Sequence, residues 1–270
     1  MTINASLQLP EKSTFTSNSS SEYEGESKMN SPKRHARIAG VLYLLVAIFA
    51  AFAFNVYTML YVAGDMATTA GNVVANSGLV RMAVVADIIQ ATAWVFLALA
   101  LYRLLKHVHP SAAGAMVVLV AIGAGIVCLN TVFGFEGMRV ATDSSYAAAL
   151  GTGGSNGLVL LLLDTQHYGL LIASVFYGLW LVPLGYLVYK SGLFPKSLGV
   201  ALIVVCCSYL VDLLAAFLAP ALGTVIHGYL SIPIWAFELW IVLYLLLIGV
   251  RTVKPDVRTP VVAPPSSVLI

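Results

Sequence analysis

Six long apolar runs constrain the fold of this chain more than any other feature of its sequence. A helix needs about 20 residues, at a rise of about 1.5 Å per residue, to cross a hydrocarbon core of about 30 Å. Every run reaches that length, and together the runs cover residues 38–61, 79–101, 111–135, 163–189, 198–219 and 228–250. The sequence therefore predicts an all-α integral membrane bundle of six transmembrane helices.

The composition supports lipid as the solvent of this chain. Hydrophobic residues make up 60% of the sequence and charged residues 10%, whereas a soluble domain has roughly 45–50% and 25%. The three cysteines lie within apolar runs without metal-ligand spacing, and neither an H-E-x-x-H motif nor a P-loop occurs. We therefore predict no metal and no cofactor. The basic residues form rims rather than a patch, which argues against a nucleic-acid partner.

The distribution of Lys and Arg predicts the orientation of the bundle. If both termini are cytoplasmic, twelve of the 14 Lys and Arg residues lie inside and only Arg81 and Arg139 lie outside. This asymmetry follows the positive-inside rule and requires an even number of spans. The sequence thus predicts a multi-pass membrane protein with both termini in the cytoplasm, with the bilayer as its main partner and an oligomeric state that stays open.

Two polar tails flank the predicted transmembrane domain, which covers residues 33–252. Residues 1–32 are rich in Ser and Glu, and residues 253–270 are rich in Pro, so both tails are predicted to be disordered. Met29 directly precedes a basic flank and offers an alternative start of translation.

Two connections are longer than simple turns. Residues 64–78 predict a short surface helix with Asp65 as its N-cap. Residues 141–157 combine an Ala-rich turn with a Gly/Ser stretch, which predicts a flexible segment before the fourth span.

Several stretches of the chain together resemble a known family. They are RIAGVLYLL, AGDMATTAGNVVANSGLVRMAVVAD, LALYRLL, FYGLWLVPLGYLVYKSGLFPKSLGV, YLVD and ELWIVLYLLLIGV. They are similar to the bacterial multi-pass membrane family called domain of unknown function 4386. The resemblance implies an integral membrane protein with several helices and assigns it no activity.

Polar side chains inside the apolar runs are the candidate functional residues. An ionisable group at bilayer depth costs roughly 2.5–3.5 kcal/mol on insertion scales, so such a residue is a functional hypothesis by default. By the predicted spans, the polar groups fall in the middle or in the extracytoplasmic half of the bilayer. The candidate ligand-binding residues are Asn55, Arg81, Asp87, Gln90, Asn130, Asp164, His167, Asp212 and Glu238.

The spacing of these residues supports a polar cluster. Asp164 and His167 lie one turn apart on one helix face, as do Asp87 and Gln90. We expect His167 to meet Asp87 or Glu238 and to bind a small polar molecule or an ion, as in a transporter or a sensor.

Three alternatives stay open at this point. The same residues could form the site of a membrane-embedded enzyme, with or without a metal. They could also join helices in a structural membrane subunit. Arg81, for its part, could form an ion pair with Glu136 or with Asp212.

Overall fold

A computed structural model describes the backbone of residues 17–251 and the side chains from Pro32 onward. Residues 1–16 and 252–270 lie outside the described residues, so the disorder of the two tails stays a prediction. The described backbone is helical from its first residue, Ser17. The helices are α1 (Ser17–Leu60), α2 (Met66–Ala75), α3 (Ser77–Leu105), α4 (Pro110–Thr142), α5 (Ser144–Leu179), α6 (Leu181–Ser191), α7 (Lys196–Leu218) and α8 (Pro220–Leu243), which a π-helical turn (Tyr244–Ile248) extends.

Six helical segments of the described chain are long and apolar enough to cross a membrane, which confirms the predicted number. They are Pro32–Leu60, Ser77–Leu105, Pro110–Thr142, Ser144–Ser191, Lys196–Leu218 and Pro220–Ile248. Residues 17–251 contain no strand. The chain is therefore an all-helical bundle, and its exposed apolar side chains provide the surface that lipid covers.

The bundle has two ends that differ in character. The α2 end holds α2, the end of α1 and the start of α3. The basic end holds the two tight connections between α3 and α4 and between α6 and α7, with Arg103, Lys106, Lys190 and Lys196 at their borders.

The first long connection forms the predicted surface helix. Asp65 caps α2, because its carboxylate accepts a hydrogen bond from the backbone N–H of Thr68 at 2.9 Å. Hydrogen bonds from the hydroxyl and the backbone N–H of Thr68 lower the pKa of Asp65. The prediction of Asp65 as an N-cap is confirmed.

The second long connection is helical, so the prediction of a flexible segment was wrong. Asp143 caps α5 by accepting a hydrogen bond from the N–H of Ser145 at 2.9 Å. The helix breaks only at Gly151, whose φ of 71° and ψ of 161° are reached readily by glycine. Helix resumes at once, and Ser155 becomes buried. Packing against neighbouring helices thus outweighs the loop-like composition of this stretch.

The fourth span is interrupted about three quarters of the way along its length, at the border between α5 and α6. Pro183 lies in the first turn of α6, and a proline has no N–H to donate to the carbonyl four residues earlier, here Leu179. Trp180 occupies the junction and is buried.

The core of the bundle depends on glycines that let helices approach closely. The hydrogens of Gly123 face the ring of Trp94, and a Cβ built there would lie 2.7 Å from Trp94 Cη2. Gly185 and Gly199 face each other between α6 and α7, so that a Cβ on either would lie under 3 Å from the partner's carbonyl oxygen. The Trp94 ring packs in turn against Tyr177 and Trp180, at centroid distances of 4.9 Å and 5.9 Å.

Candidate functional site

Among the described Asp and Glu residues, Asp87 is the most buried, with 7% of its surface exposed. The hydroxyl of Thr131 on α4 donates to its Oδ2 at 3.1 Å. Tyr57 on α1 and Gln90 on α3 also face this carboxylate. We call Asp87, Thr131, Tyr57 and Gln90 the Asp87 cluster.

A line of side chains leads from the Asp87 cluster to a second acid. Gln90 donates from Nε2 to the hydroxyl of Tyr177 at 3.3 Å. The Tyr177 ring lies 6.3 Å from that of Tyr209, and the Tyr209 hydroxyl donates to Glu238 Oε1 at 3.0 Å. Four helices, α3, α5, α7 and α8, supply these groups. The side chains between the two carboxylates thus come from helices that are distant in sequence, and the step from Tyr177 to Tyr209 is a ring contact rather than a hydrogen bond.

Three polar atoms beside this line have no hydrogen-bond partner among the described residues. They are Gln90 Oε1 and the hydroxyl oxygens of Tyr57 and Tyr43. All three side chains are more than nine-tenths buried, with exposures of 2%, 6% and 3%. Tyr57 interacts electrostatically with Asp87, and Tyr43 with Glu238. Buried polar groups are normally satisfied, so these atoms mark places where a water molecule or a ligand can bind.

Asp164 and His167 meet at a different place, around Tyr61. The Tyr61 hydroxyl donates to Asp164 Oδ1 at 2.5 Å, and the His167 ring stacks on the Tyr61 ring with centroids 5.1 Å apart. Tyr61 lies just beyond the end of the first span, and burial, followed by its bond to Asp164, raises its pKa. His167 is exposed on the bundle surface and has its described ring contacts with Tyr61 and Tyr168.

The expected meeting of His167 with Asp87 or Glu238 does not occur in the described structure. Asp87 bonds to Thr131, and Glu238 bonds to Tyr209. The reason is that Tyr57 in the last turn of α1 faces Asp87, whereas Tyr61, directly after α1, binds Asp164 and stacks on His167.

Asn130 joins α4 to α5 and is buried. Its Nδ2 donates to the backbone carbonyl of Gln166 at 2.8 Å. Gly169 lies so close to the Asn130 carboxamide that a Cβ at that position would overlap it.

The remaining candidate residues lie apart from the Asp87 cluster. Asn55 is exposed and donates to the carbonyl of Ala51 on its own helix, at 2.7 Å. Asp212 pairs with His227 at 2.9 Å, and Glu136 pairs with Arg139 at 2.9 Å. Because both acids have these partners, the structure does not show the expected pairing of Arg81 with Glu136 or Asp212. Arg81 instead lines an apolar groove between α1 and α3.

The position of Glu238 along its helix differs from the expected one. Glu238 lies eighteen residues after Pro220 and ten before Ile248, so it is nearer the basic end of its span. Asp87 lies ten residues after Ser77 and eighteen before Leu105, so it is nearer the α2 end. Glu238 therefore lies beyond the midpoint of its helix, partly because α8 begins eight residues earlier than its apolar run predicts. That the polar groups lie in the middle or in the extracytoplasmic half of the bilayer stays a prediction.

Sequence reasoning missed the residues that connect the acids, above all Tyr57, Tyr177 and Tyr209. Tyrosine in an apolar run also anchors helices at the membrane interface, so its presence alone does not indicate a buried hydrogen bond. The spacing of Tyr57 and Tyr61, which share a helix face, was the one available signal.

One short motif invites a catalytic interpretation that the structure does not support. Residues 153–157 read GGSNG and match the G-x-S-x-G pattern of serine hydrolases. That pattern needs a sharp turn between a strand and a helix. Ser155 instead lies inside α5 and is buried. Among the described residues, no group of three or more His, Cys, Asp or Glu side chains is arranged to hold a metal ion.

Six apolar helices around polar side chains define a multi-pass membrane protein. The chain belongs to the family described as Domain of unknown function (DUF4386), whose model matches residues 38–249. It is also 34% identical over 80 residues to a protein of Archaeoglobus fulgidus named "Uncharacterized protein", a match that covers 29% of this chain and 48% of that relative. The chain thus spans about half the length of the curated relative that it matches. No solved structure matches the chain.

Proposed function

We propose that this protein is a multi-pass inner-membrane protein that binds a small cation, the proton included, at the Asp87 cluster, and that it acts as a transporter or a sensor. Both termini lie in the cytoplasm, in keeping with the twelve Lys and Arg residues on that side. The α2 end then faces the extracytoplasmic side.

The main support for this proposal is that the Asp87 carboxylate has no ion-pair partner among the described residues. It is buried in an apolar bundle, and its described neighbours offer neutral oxygen and nitrogen atoms. The ion pairs seen among residues 32–251 involve other acids, Glu136 and Asp212. A buried charge without a partner is costly, so Asp87 gains from a bound cation or from protonation.

The donor set fits a small cation better than a larger polar molecule. The Thr131 hydroxyl, the Tyr57 hydroxyl and Gln90 Oε1 are hard oxygen atoms, and two of them have no partner within the described chain. Oxygen ligands of this kind suit protons and hard metal cations.

Thermal unfolding of the purified full chain in detergent micelles tests this proposal. A ligand that binds only the folded state at about 100 times its Kd stabilises by about 2.7 kcal/mol. We expect Na⁺, K⁺, Li⁺ or a lower pH to raise the Tm of the wild type, and Asp87→Asn to remove that response. Glu136→Gln is the matched control, because Glu136 is an acid in an exposed ion pair.

Two results would contradict the proposal. The first is a wild-type Tm that is insensitive to all three cations and to pH, which would favour a role in joining helices. The second is an Asp87→Asn variant that keeps the full response of the wild type.

A further inference from the structure

We propose that the ligand is the proton, and that protons pass between Asp87 and Glu238 past Gln90 and through the hydroxyls of Tyr177 and Tyr209. The two carboxylates then form one proton-binding unit across the middle of the bundle. This inference rests on the proposed function and names the ligand of the same site.

The end of the line at Glu238 is a direct hydrogen bond. The Tyr209 hydroxyl donates to Glu238 Oε1 at 3.0 Å. A tyrosine hydroxyl both donates and accepts, so it can give its proton to a carboxylate and take another from its far side. The ring of Tyr177 lies 6.3 Å from that of Tyr209, and no direct hydrogen bond joins the two hydroxyls in the described structure, so a bound water must bridge them.

Tyr177 occupies the position between the two acids. It interacts electrostatically with both Asp87 and Glu238. Its hydroxyl oxygen accepts from Gln90 Nε2 at 3.3 Å, and this bond leaves the hydroxyl hydrogen free to point elsewhere. Gln90 therefore positions Tyr177 and does not itself carry the proton, because a carboxamide exchanges protons poorly.

The polar atoms without partners supply the missing connections. The Tyr57 side chain and Gln90 face Asp87, Gln90 also contacts Tyr177, and Tyr43 interacts electrostatically with Glu238. A water molecule bound at such atoms would bring Asp87 within reach of Tyr177.

Neutral groups surround both acids. The groups that face Asp87 from α1, α3, α4 and α5 are Tyr57, Gln90, Thr131 and Tyr177. The groups that face Glu238 from α1, α5 and α7 are Tyr43, Tyr177 and Tyr209. Cys128 lies near Tyr177. No Lys, Arg or His side chain acts on either acid in the described chain, so protonation can neutralise both acids without any further group.

The transfer conserves protons at every oxygen. In one concerted step, a neutral Asp87 gives its proton to a bound water, and that water gives one of its own protons to Tyr177. In the same step Tyr177 gives its hydroxyl proton to Tyr209 through a second bound water, and Tyr209 gives its hydroxyl proton to Glu238. Asp87 ends as a carboxylate, Glu238 ends as a carboxylic acid, and both tyrosines end neutral.

Time-resolved infrared spectroscopy of the full chain in lipid nanodiscs, after a rapid drop in pH, tests this relay. A carboxylic acid has its own C=O band, which Asp87→Asn and Glu238→Gln would assign to each acid. We expect Tyr177→Phe to slow the appearance of the Glu238 band by about tenfold or more and to leave the Asp87 band unchanged. Tyr186→Phe is the matched control, because Tyr186 is 43% exposed on α6.

The outcomes separate failure of the relay from failure of the proposed function. If Tyr177→Phe and Tyr209→Phe both leave the Glu238 rate at the wild-type value, the relay is refuted while cation binding at Asp87 stands. A Glu238 band that appears at the wild-type rate in Asp87→Asn also refutes the relay. If neither acid responds to pH, and no cation raises the Tm, both proposals fail. Equal thermal stability of the Phe variants and the wild type shows that a slower rate does not come from misfolding.

Discussion

The contact between Gly123 and Trp94 gives the sharpest test of the packing, through substitution of two glycines on one helix. A Cβ at Gly123 would lie 2.7 Å from Trp94 Cη2 and 2.8 Å from Phe176 Cβ. Carbon atoms in contact prefer about 3.5–4.0 Å, so something must move by about 0.8 Å. Trp94 is 2% exposed and is held by Tyr177 and Trp180, and the Phe176 Cβ is fixed to α5, so neither can move freely.

The expected magnitude follows from two opposing terms. Overpacking costs typically 1–3 kcal/mol, while replacing glycine by alanine in a helix gains about 1 kcal/mol or less. Gly123→Ala should therefore lower the free energy of unfolding by about 0–2 kcal/mol relative to the wild type, and by about 1–3 kcal/mol relative to a glycine-to-alanine change on the same helix without overpacking. A Cβ at Gly125, two residues later, would meet no atom within 4 Å. Gly125→Ala should be neutral, or stabilising by up to about 1 kcal/mol.

Equilibrium unfolding of both variants in mixed micelles, titrated with a denaturing detergent and followed by circular dichroism, measures the difference. Because both substitutions add one methyl group to the same helix, propensity and hydrophobicity cancel in the comparison. Equal stability of Gly123→Ala and Gly125→Ala would refute the close approach of α4 to Trp94. A more stable Gly123→Ala would refute it more strongly.

Three further predictions concern the ends of the bundle and the tail. Reporters fused after Lys106, after Gly192 and at the C-terminus should be cytoplasmic, whereas fusions near Asn72, Ser155 and Thr224 should be outside; an extracytoplasmic C-terminal reporter would overturn the orientation. Asp65→Ala should speed amide hydrogen exchange in α2, whereas Asp65→Asn should retain part of the protection. Because the folded structure lowers the pKa of Asp65 below its usual value of 3.8, the cap should stabilise α2 fully above pH 3.8 and should weaken as the pH falls below that value. Equal exchange rates in the wild type and Asp65→Ala would contradict this role. Deleting residues 1–28 should leave membrane insertion unchanged, as measured by the amount of inserted protein, since these residues have no apolar periodicity.

The sequence predicts where the helices of this protein lie along the chain better than it predicts which helices pack against each other. Hydropathy gives six spans because every long apolar run must bury its backbone within a helix, and Asp65 marks the start of α2 through its cap. The same reasoning fails at Gly151, where composition indicates a loop but packing of Ser155 favours helix.

The partners of the polar groups depend on which helices lie side by side. The spacing of Asp164 and His167 shows that they share a helix face. The residue that joins them, Tyr61, lies about 100 positions earlier in the sequence, directly after α1. Glu238 is matched with Tyr209 for the same reason, since the contact joins α7 to α8 through their packing. Helical periodicity within one segment does not show which other helix packs against it.

If protons pass between the two acids as proposed, the offset of the acids along their helices would make this transfer respond to the membrane voltage. Asp87 lies ten residues from the α2 end of its span and Glu238 lies eighteen residues from that end. Eight residues of helix correspond to about 12 Å, or about two-fifths of a hydrocarbon core of about 30 Å. One charge that crosses the whole core exchanges about 2.3 kcal/mol per 100 mV. A proton that moves between the acids therefore exchanges about 0.9 kcal/mol with a potential of 100 mV. In the proposed orientation, an interior-negative potential would draw that proton toward Glu238, so the share of protons held by each acid would change with the membrane potential while the total charge of the bundle stays the same.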